Sequence, residues 1–428
     1  MNQQIYGTYL DILREELVPA MGCTEPIAIA YAAALARDTL GRMPDKTVLT
    51  VSGNIIKNVK SVVVPNTHGR IGLRTAVAAG LCFGKAEKEL QVLADATEED
   101  LKELDEWLQT AEISTREADS EQPFDLAVEL TAGQETSYVR IVGHHTNVVC
   151  IRKNGDILQE KEISEEPAQA PENRELLTVE RIVEFADCVN LDDVRETLQR
   201  QIDMNLAIVQ AGLKGEYGAE IGKILLLSYG NSVHNRAKAW AAAGSDARMS
   251  GCELPVVINS GSGNQGLTAS VPVIVYAKEL NASEDLLYRA LLVSNLVTIH
   301  LKTGIGSLSA YCGATSAGAG AGAGICYLYG GGYREIAHTI VNALAINSGM
   351  ICDDAKPSCA AKIASAVESG LLGMRMFMHD SQFYGGDGIV VKGVENTIKA
   401  VSTIAREGMR GTDKEVIRLM MQTERELK

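Results

Sequence analysis

Apolar residues recur at helical spacing from the first turn of the chain. Ile5, Tyr9, Ile12, Leu13 and Leu17 share one stripe, which predicts an amphipathic helix over 3–18 that stops at Pro19. The Ala-rich run 27–36 predicts a second helix, with Pro26 as its first residue. From Thr47 the period changes. Val48 to Val51 and Val59 to Val64 read as strands, Asn66-Thr67-His68-Gly69 as a turn, Ile71 to Cys82 as a helix and Glu98 to Thr110 as an acidic helix. Alternation then predicts strands over Phe124 to Leu130, Ser137 to Val142, Asn147 to Arg152 and Asp156 to Glu160, with a hairpin turn at Asn154-Gly155. The charged, Pro-bearing stretch 160–173 reads as an exposed linker. Beyond Thr178 helical spacing dominates to the end, with Gly at many boundaries.

These patterns predict an α+β protein: a large all-helical catalytic domain from 1–45 and 172–428, with a smaller α/β domain, 46–171, inserted into it. A chain of 428 residues exceeds the roughly 250–300 at which one core stops growing. The net charge of −15 argues against nucleic acid or an anionic membrane as partner. A small-molecule substrate stays open, because local charge decides that, and so does a homo-oligomer. The segment from Thr303 to Tyr333 carries no charge, but ten of its residues are Gly. It therefore reads as close-packed interior rather than a membrane span. Nine cysteines is an odd number, and Asp11, Arg14, Glu15 and Glu16 interrupt any leader-like apolar run. Both point to a reducing cytoplasm.

The candidate chemistry centres on Cys352-Asp353-Asp354-Ala355-Lys356-Pro357-Ser358-Cys359 and on Cys312, which precedes a helix candidate from Gly313 to Tyr329. A helix ends near Gly349 and a new one starts at Pro357, so Cys352 falls in the turn and Cys359 in the first helical turn. Three thiols on loop ends and helix starts suit an iron–sulfur cluster. On spacing alone, three unrelated buried cysteines are the commoner arrangement. Cys23, in Gly22-Cys23-Thr24-Glu25-Pro26, lies just ahead of a helix, where a thiolate is favoured; a packed loop residue is the equal alternative.

Ser260-Gly261-Ser262-Gly263-Asn264-Gln265-Gly266 spells a dinucleotide fingerprint, but its surroundings are helical rather than βαβ. What it offers is an anion nest for a substrate carboxylate, built from Ser260, Gly261, Ser262, Gly263 and Asn264. A plain Gly-rich connector is the rival reading. The same stretch is similar to the substrate loop of pyridoxal-phosphate β-eliminating enzymes, with Gly330-Gly331-Gly332 as a phosphate cup. Lys214 and Lys223 stand in the wrong context for its Schiff base. His145 and Asn147, at a strand junction, are further candidates for contact with substrate. Zinc-protease, α/β-hydrolase and P-loop motifs are absent.

Taken together and in order, the Gly22 to Pro26 segment, Ser260 to Gly266, Leu308-Ser309-Ala310-Tyr311-Cys312-Gly313 and Cys352 to Cys359 resemble the iron–sulfur L-cysteine desulfidases, related to the α-chain of bacterial iron–sulfur L-serine dehydratases. The resemblance spans nearly the whole chain. It implies a [4Fe–4S] cluster on Cys312, Cys352 and Cys359 with one iron open to substrate, and Cys23 as base or reactive thiol. The implied reaction is a lyase's: L-cysteine to pyruvate, ammonia and sulfide, or L-serine on the same scaffold. Cys82, Cys150, Cys188, Cys252 and Cys326 match no ligand position. A non-catalytic amino-acid-binding or redox-sensing protein is the remaining alternative.

Overall fold

The computed structural model describes residues 1–426 apart from 61, 121, 123, 164–171, 307, 308 and 354. Most of the expected linker, together with Leu308 and Asp354, lies outside the described residues. The architecture is α+β, in two compact units. The larger comprises Met1–Val18, Ala170–Arg248 and Leu254–Val416, and the smaller Pro19–Gln169, Met249–Glu253 and Ile417–Lys428.

Helix α1 (Gln3–Glu16) opens the larger unit, with the Asn2 side chain accepting from the Ile5 N–H at 2.8 Å and Tyr9, Ile12 and Leu13 buried. In the smaller unit, α2 (Thr24–Leu40) takes Cys23 as its N-cap, so Pro26 is the third helical residue and not the first. A six-stranded sheet follows, from β1 (Lys46–Val51), β2 (Glu112–Glu117), β3 (Asp125–Ala132), β4 (Glu135–Val142), β5 (Val148–Lys153) and β6 (Asp156–Glu160). Its order is β2-β1-β3-β4-β5-β6; β1 and β2 are parallel and the other pairs antiparallel. Helix α2 packs against β3 and β4. Helices α3 (Gly53–Val59), α4 (Gly72–Phe83) and α5 (Glu98–Thr110) fill the crossover between β1 and β2.

Two local expectations fail here. The segment read as a strand from Val59 begins with the last residue of α3, and among its described residues only Val63 forms a bridge, to Ile71. Val59, Val62 and Val64 are buried without a strand to pair with, and β-propensity expresses itself only through such neighbours. Strand β2 escaped notice because its mostly exposed, polar residues lack alternation. The hairpin at Asn154-Gly155 has φ of 52° and 90°, the left-handed pair that a type I′ turn needs.

The larger unit continues with α6 (Val179–Cys188), α7 (Arg195–Lys214), α8 (Ile221–Tyr229), α9 (Val233–Met249, its last residue counted with the smaller unit), α10 (Gly263–Glu279), α11 (Glu284–Ile305), α12 (Gly313–Leu328), α13 (Tyr333–Ile346), α14 (Ser358–Met378) and α15 (Val394–Thr403), and α16 (Arg410–Glu426) is divided between the two units at Val416. Uncharged α12 lies at its centre, packed against α10, α11, α13 and α14. Gly318, Gly320, Gly322 and Gly324 each weaken a helix by about 0.5–1 kcal/mol relative to Ala, so packing and not propensity sustains it. A Cβ on Gly318 would strike the Ala366 carbonyl of α14, and one on Gly370 the Gly318 carbonyl. The backbones of α12 and α14 therefore touch. Among the described residues no helix is long and apolar enough to cross a membrane.

Candidate active site

Cys312 is the N-cap of α12. The segment before it runs antiparallel to the one before α14: Tyr311 bridges Ile351, the Cys312 N–H donates to the Met350 carbonyl at 2.9 Å, and the Cys352 N–H to the Ala310 carbonyl at 2.6 Å. This clamp brings together two cysteines forty residues apart in sequence. Cys359 follows in the first turn of α14, its N–H donating to the Lys356 carbonyl at 2.9 Å, with Pro357 at the N-cap rather than inside the helix. Interaction with the Cys352 side chain, then burial, then the charges of Cys352 and Cys359, push the Cys312 thiol well above its usual range.

Two lysines complete this corner. Lys362 donates to the Ile351 carbonyl at 2.8 Å and pairs with Asp353. Lys302 is 6% exposed, and no carboxylate partners it among the described residues. A Cβ on Gly324 would meet the Ala290 carbonyl at 2.7 Å and one on Gly320 the Ser294 carbonyl at 2.6 Å. Helices α11 and α12 are thus antiparallel, and Lys302, two turns beyond Ser294, comes level with the start of α12. Burial pushes its ammonium down from its ordinary range, against the charges of Cys352 and Cys312.

The glycine loop is a tight turn. Asn259 and Ser262 exchange backbone hydrogen bonds at 3.1 Å across Ser260 and Gly261, whose φ values are 49° and 77°, a type I′ geometry. For Ser260 this conformation is strained, on the order of 1 kcal/mol. A buried network holds it: the Ser260 hydroxyl donates to Asn259 Oδ1 at 2.9 Å, Asn259 Nδ2 to Asn295 Oδ1 at 3.0 Å, and Asn295 Nδ2 to Gln201 Oε1 at 2.8 Å. Helix α10 begins directly after, at Gly263, and Ser262 supplies no side-chain cap. A Cβ on Gly263 would lie 2.8 Å from the guanidinium carbon of Arg248, and one on Gly313 would lie 2.6 Å from Gln265 Cδ. The glycine loop is therefore next to the start of α12. The N-termini of α10, α12 and α14 converge, none with a side-chain cap, and their dipoles favour an anion.

The larger unit thus gathers Cys312, Cys352, Cys359, Ser260, Gly261, Ser262, Gly263 and Asn264. Cys23, His145 and Asn147 belong to the smaller unit. There Cys23 is 3% exposed at the start of α2, and His145 packs edge-on against Phe124 with ring centroids 4.7 Å apart. The Asn147 amide donates to the Val142 carbonyl at 2.8 Å, bracing its own turn. Lys214 is exposed and Lys223 pairs with Glu220, neither an enclosed setting for a Schiff base. Arg248, Gln265 and Lys302 were not expected. The only hint in the sequence was a lone cation at each end of otherwise uncharged or Ala-rich runs. Among the described residues no three His, Cys, Asp or Glu side chains stand ready to share a single metal ion.

The sequence pattern of the serine dehydratase alpha chain family matches residues 87–418. The chain belongs to that family, as its motifs suggested, and so stands among lyase-like enzymes. A UPF0597 protein of Desulfitobacterium hafniense is 57% identical over 418 residues, 97% of each chain. UPF0597 proteins of Lachnoclostridium phytofermentans and Treponema denticola are each 48% identical, over 97% and 98% of this chain and 100% and 99% of theirs.

Proposed function

We propose that this chain removes the β-substituent of a small L-amino acid to give pyruvate and ammonia. Its motifs favour L-cysteine, losing sulfide; the family description favours L-serine, losing water. The observation that supports this most is the clamp between 310–312 and 350–352, which joins the segments carrying Cys312 and Cys352, with Cys359 in the first turn of the helix that follows. Such a soft, all-sulfur donor set fits a [4Fe–4S] cluster. Cys312, Cys352 and Cys359 would hold it, and when bound it would supply a Lewis acid from the iron that lacks a protein thiol.

The protein's own groups supply the rest. Lys302, buried beside two of the thiols, offsets the negative charge that thiolates bring. The Ser260-Gly261 turn and the first turn of α10 orient the substrate carboxylate, and correct orientation lowers a barrier by several kcal/mol. We assign Cys23 the removal of the Cα proton, because a thiolate is favoured at a helix start. His145 and Asn147 enter the proposal as substrate contacts by their chemistry alone. The elimination is redox-neutral: the Cα proton and the β-substituent leave, and the resulting enamine tautomerises and hydrolyses. Nine free cysteines accord with a reducing cytoplasm as the compartment.

The test is anaerobic purification followed by assay of iron, acid-labile sulfide and pyruvate formed from L-cysteine and from L-serine. Iron and sulfide in equal amounts, with pyruvate from one of the two substrates, is the expected result, and Cys352→Ala loses both cluster and turnover. Turnover that persists in Cys352→Ala, or that needs no iron but is trapped by borohydride on a lysine, rejects the reading.

A further inference from the structure

Arg248 sits near the end of α9, 4% exposed, with its Nε buried and lacking a hydrogen-bond acceptor. No ion pair to it exists among the described residues. A buried charge is costly to leave without a partner. The guanidinium is wedged against Gly263, the first residue of α10, and only a residue without a side chain leaves room for it there. Its neighbour is a helix N-terminus whose cap residue, Ser262, makes no capping hydrogen bond. Two residues on, buried Gln265 has Oε1 without a donor and lies against Gly313, next to Cys312. A largely buried fork of N–H donors beside an uncapped helix start describes a pocket for a planar anion with two oxygens.

We propose that Arg248 is the residue that binds the α-carboxylate of the amino-acid substrate, gripping it against the first turn of α10. Gln265 then orients the bound molecule toward the cysteine corner. Arg248 acts here as a binding and specificity residue, selecting free amino acids over their amides, esters or peptide-linked forms. The identity of the carboxylate rests on the lyase reading; the anion site itself does not.

L-Alanine, which has no β-leaving group, reports binding without turnover. The anaerobic holoprotein is titrated calorimetrically with L-alanine and with L-alaninamide, and the titrations are repeated with Arg248→Gln and Arg248→Lys. Alanine should bind about tenfold or more tightly than alaninamide. Arg248→Gln should lose at least that factor for alanine, with an unchanged circular dichroism spectrum. Arg248→Lys should fall between, since it keeps the charge but not the fork. In turnover, Arg248→Gln should raise KM far more than it lowers kcat. The proposal is overturned if wild-type protein binds alanine and alaninamide equally or binds neither, a comparison that does not depend on any variant folding. It is also overturned if a folded Arg248→Gln binds alanine as well as wild type. Arg248-dependent alanine binding without pyruvate from serine or cysteine removes the lyase reading and leaves this site standing. Cluster-dependent turnover indifferent to Arg248→Gln does the reverse.

Discussion

Asp246 shows how far a single buried charge can set the pH behaviour of this fold. It is 1% exposed, and one carboxylate oxygen accepts from the Gly222 N–H at 3.0 Å while the other has no donor. Burial raises its pKa to about 6, against the opposing pull of the Gly222 and Ile221 amides. The folded value stands above the unfolded one. Its stabilising contribution is thus complete below about pH 4 and fades as the pH climbs through about 6. Asp246→Asn keeps the acceptor and deletes the titration. In urea melts at pH 7.5 the variant should be more stable than wild type by on the order of 1–2 kcal/mol, and at pH 4 the two should coincide. Equal stability at pH 7.5 would show that the carboxylate is not held out of water. The same scale explains what sequence could not show. Cys312 and Cys359 were legible at helix starts because Gly313 and Pro357 punctuate the chain locally. Arg248 and Lys302 look like ordinary surface cations until they prove to be buried with no ion-pair partner among the described residues.

At the level of elements, the contact of α12 with α14 is what fixes the cysteines. These helices begin at Gly313 and Ser358, so their separation sets the distance between Cys312 and Cys359. Gly370→Ala would drive a methyl group into the Gly318 carbonyl, and such overpacking costs about 1–3 kcal/mol. Gly7→Ala, in α1 with nothing within 4 Å of the new Cβ, should instead stabilise by about 0.5–1 kcal/mol. Urea midpoints that fail to move in opposite directions would contradict the backbone contact. The uncharged Gly-rich run was readable as interior helix, because small side chains have no other use at that density. The helical end at Val59 and the polar strand β2 were not readable, since each depends on which neighbour the chain meets.

Across the whole molecule, nine cysteines divide by environment, and that division can be read chemically. Cys188 is exposed, Cys82, Cys352 and Cys359 are half-buried, and Cys23, Cys150, Cys252, Cys312 and Cys326 are buried. Burial pushes the Cys82 thiol up to about 12 and the Cys326 thiol up to about 11, so both are nearly all protonated at pH 8 and poor nucleophiles. Brief alkylation of cluster-free protein at pH 8, read by peptide mass spectrometry, should therefore mark Cys188, Cys352 and Cys359 and spare Cys82 and Cys326. After anaerobic reconstitution with iron and sulfide, Cys352 and Cys359 should become protected while Cys188 stays reactive. The comparison separates ligation from folding, because Cys188 reports that reagent access is unchanged. Protection of all three together would mean that reconstitution merely occludes the protein. Labelling of Cys352 and Cys359 that iron and sulfide leave unaltered would remove the thiol corner from the mechanism and leave Arg248 with an anion to bind but no cluster beside it.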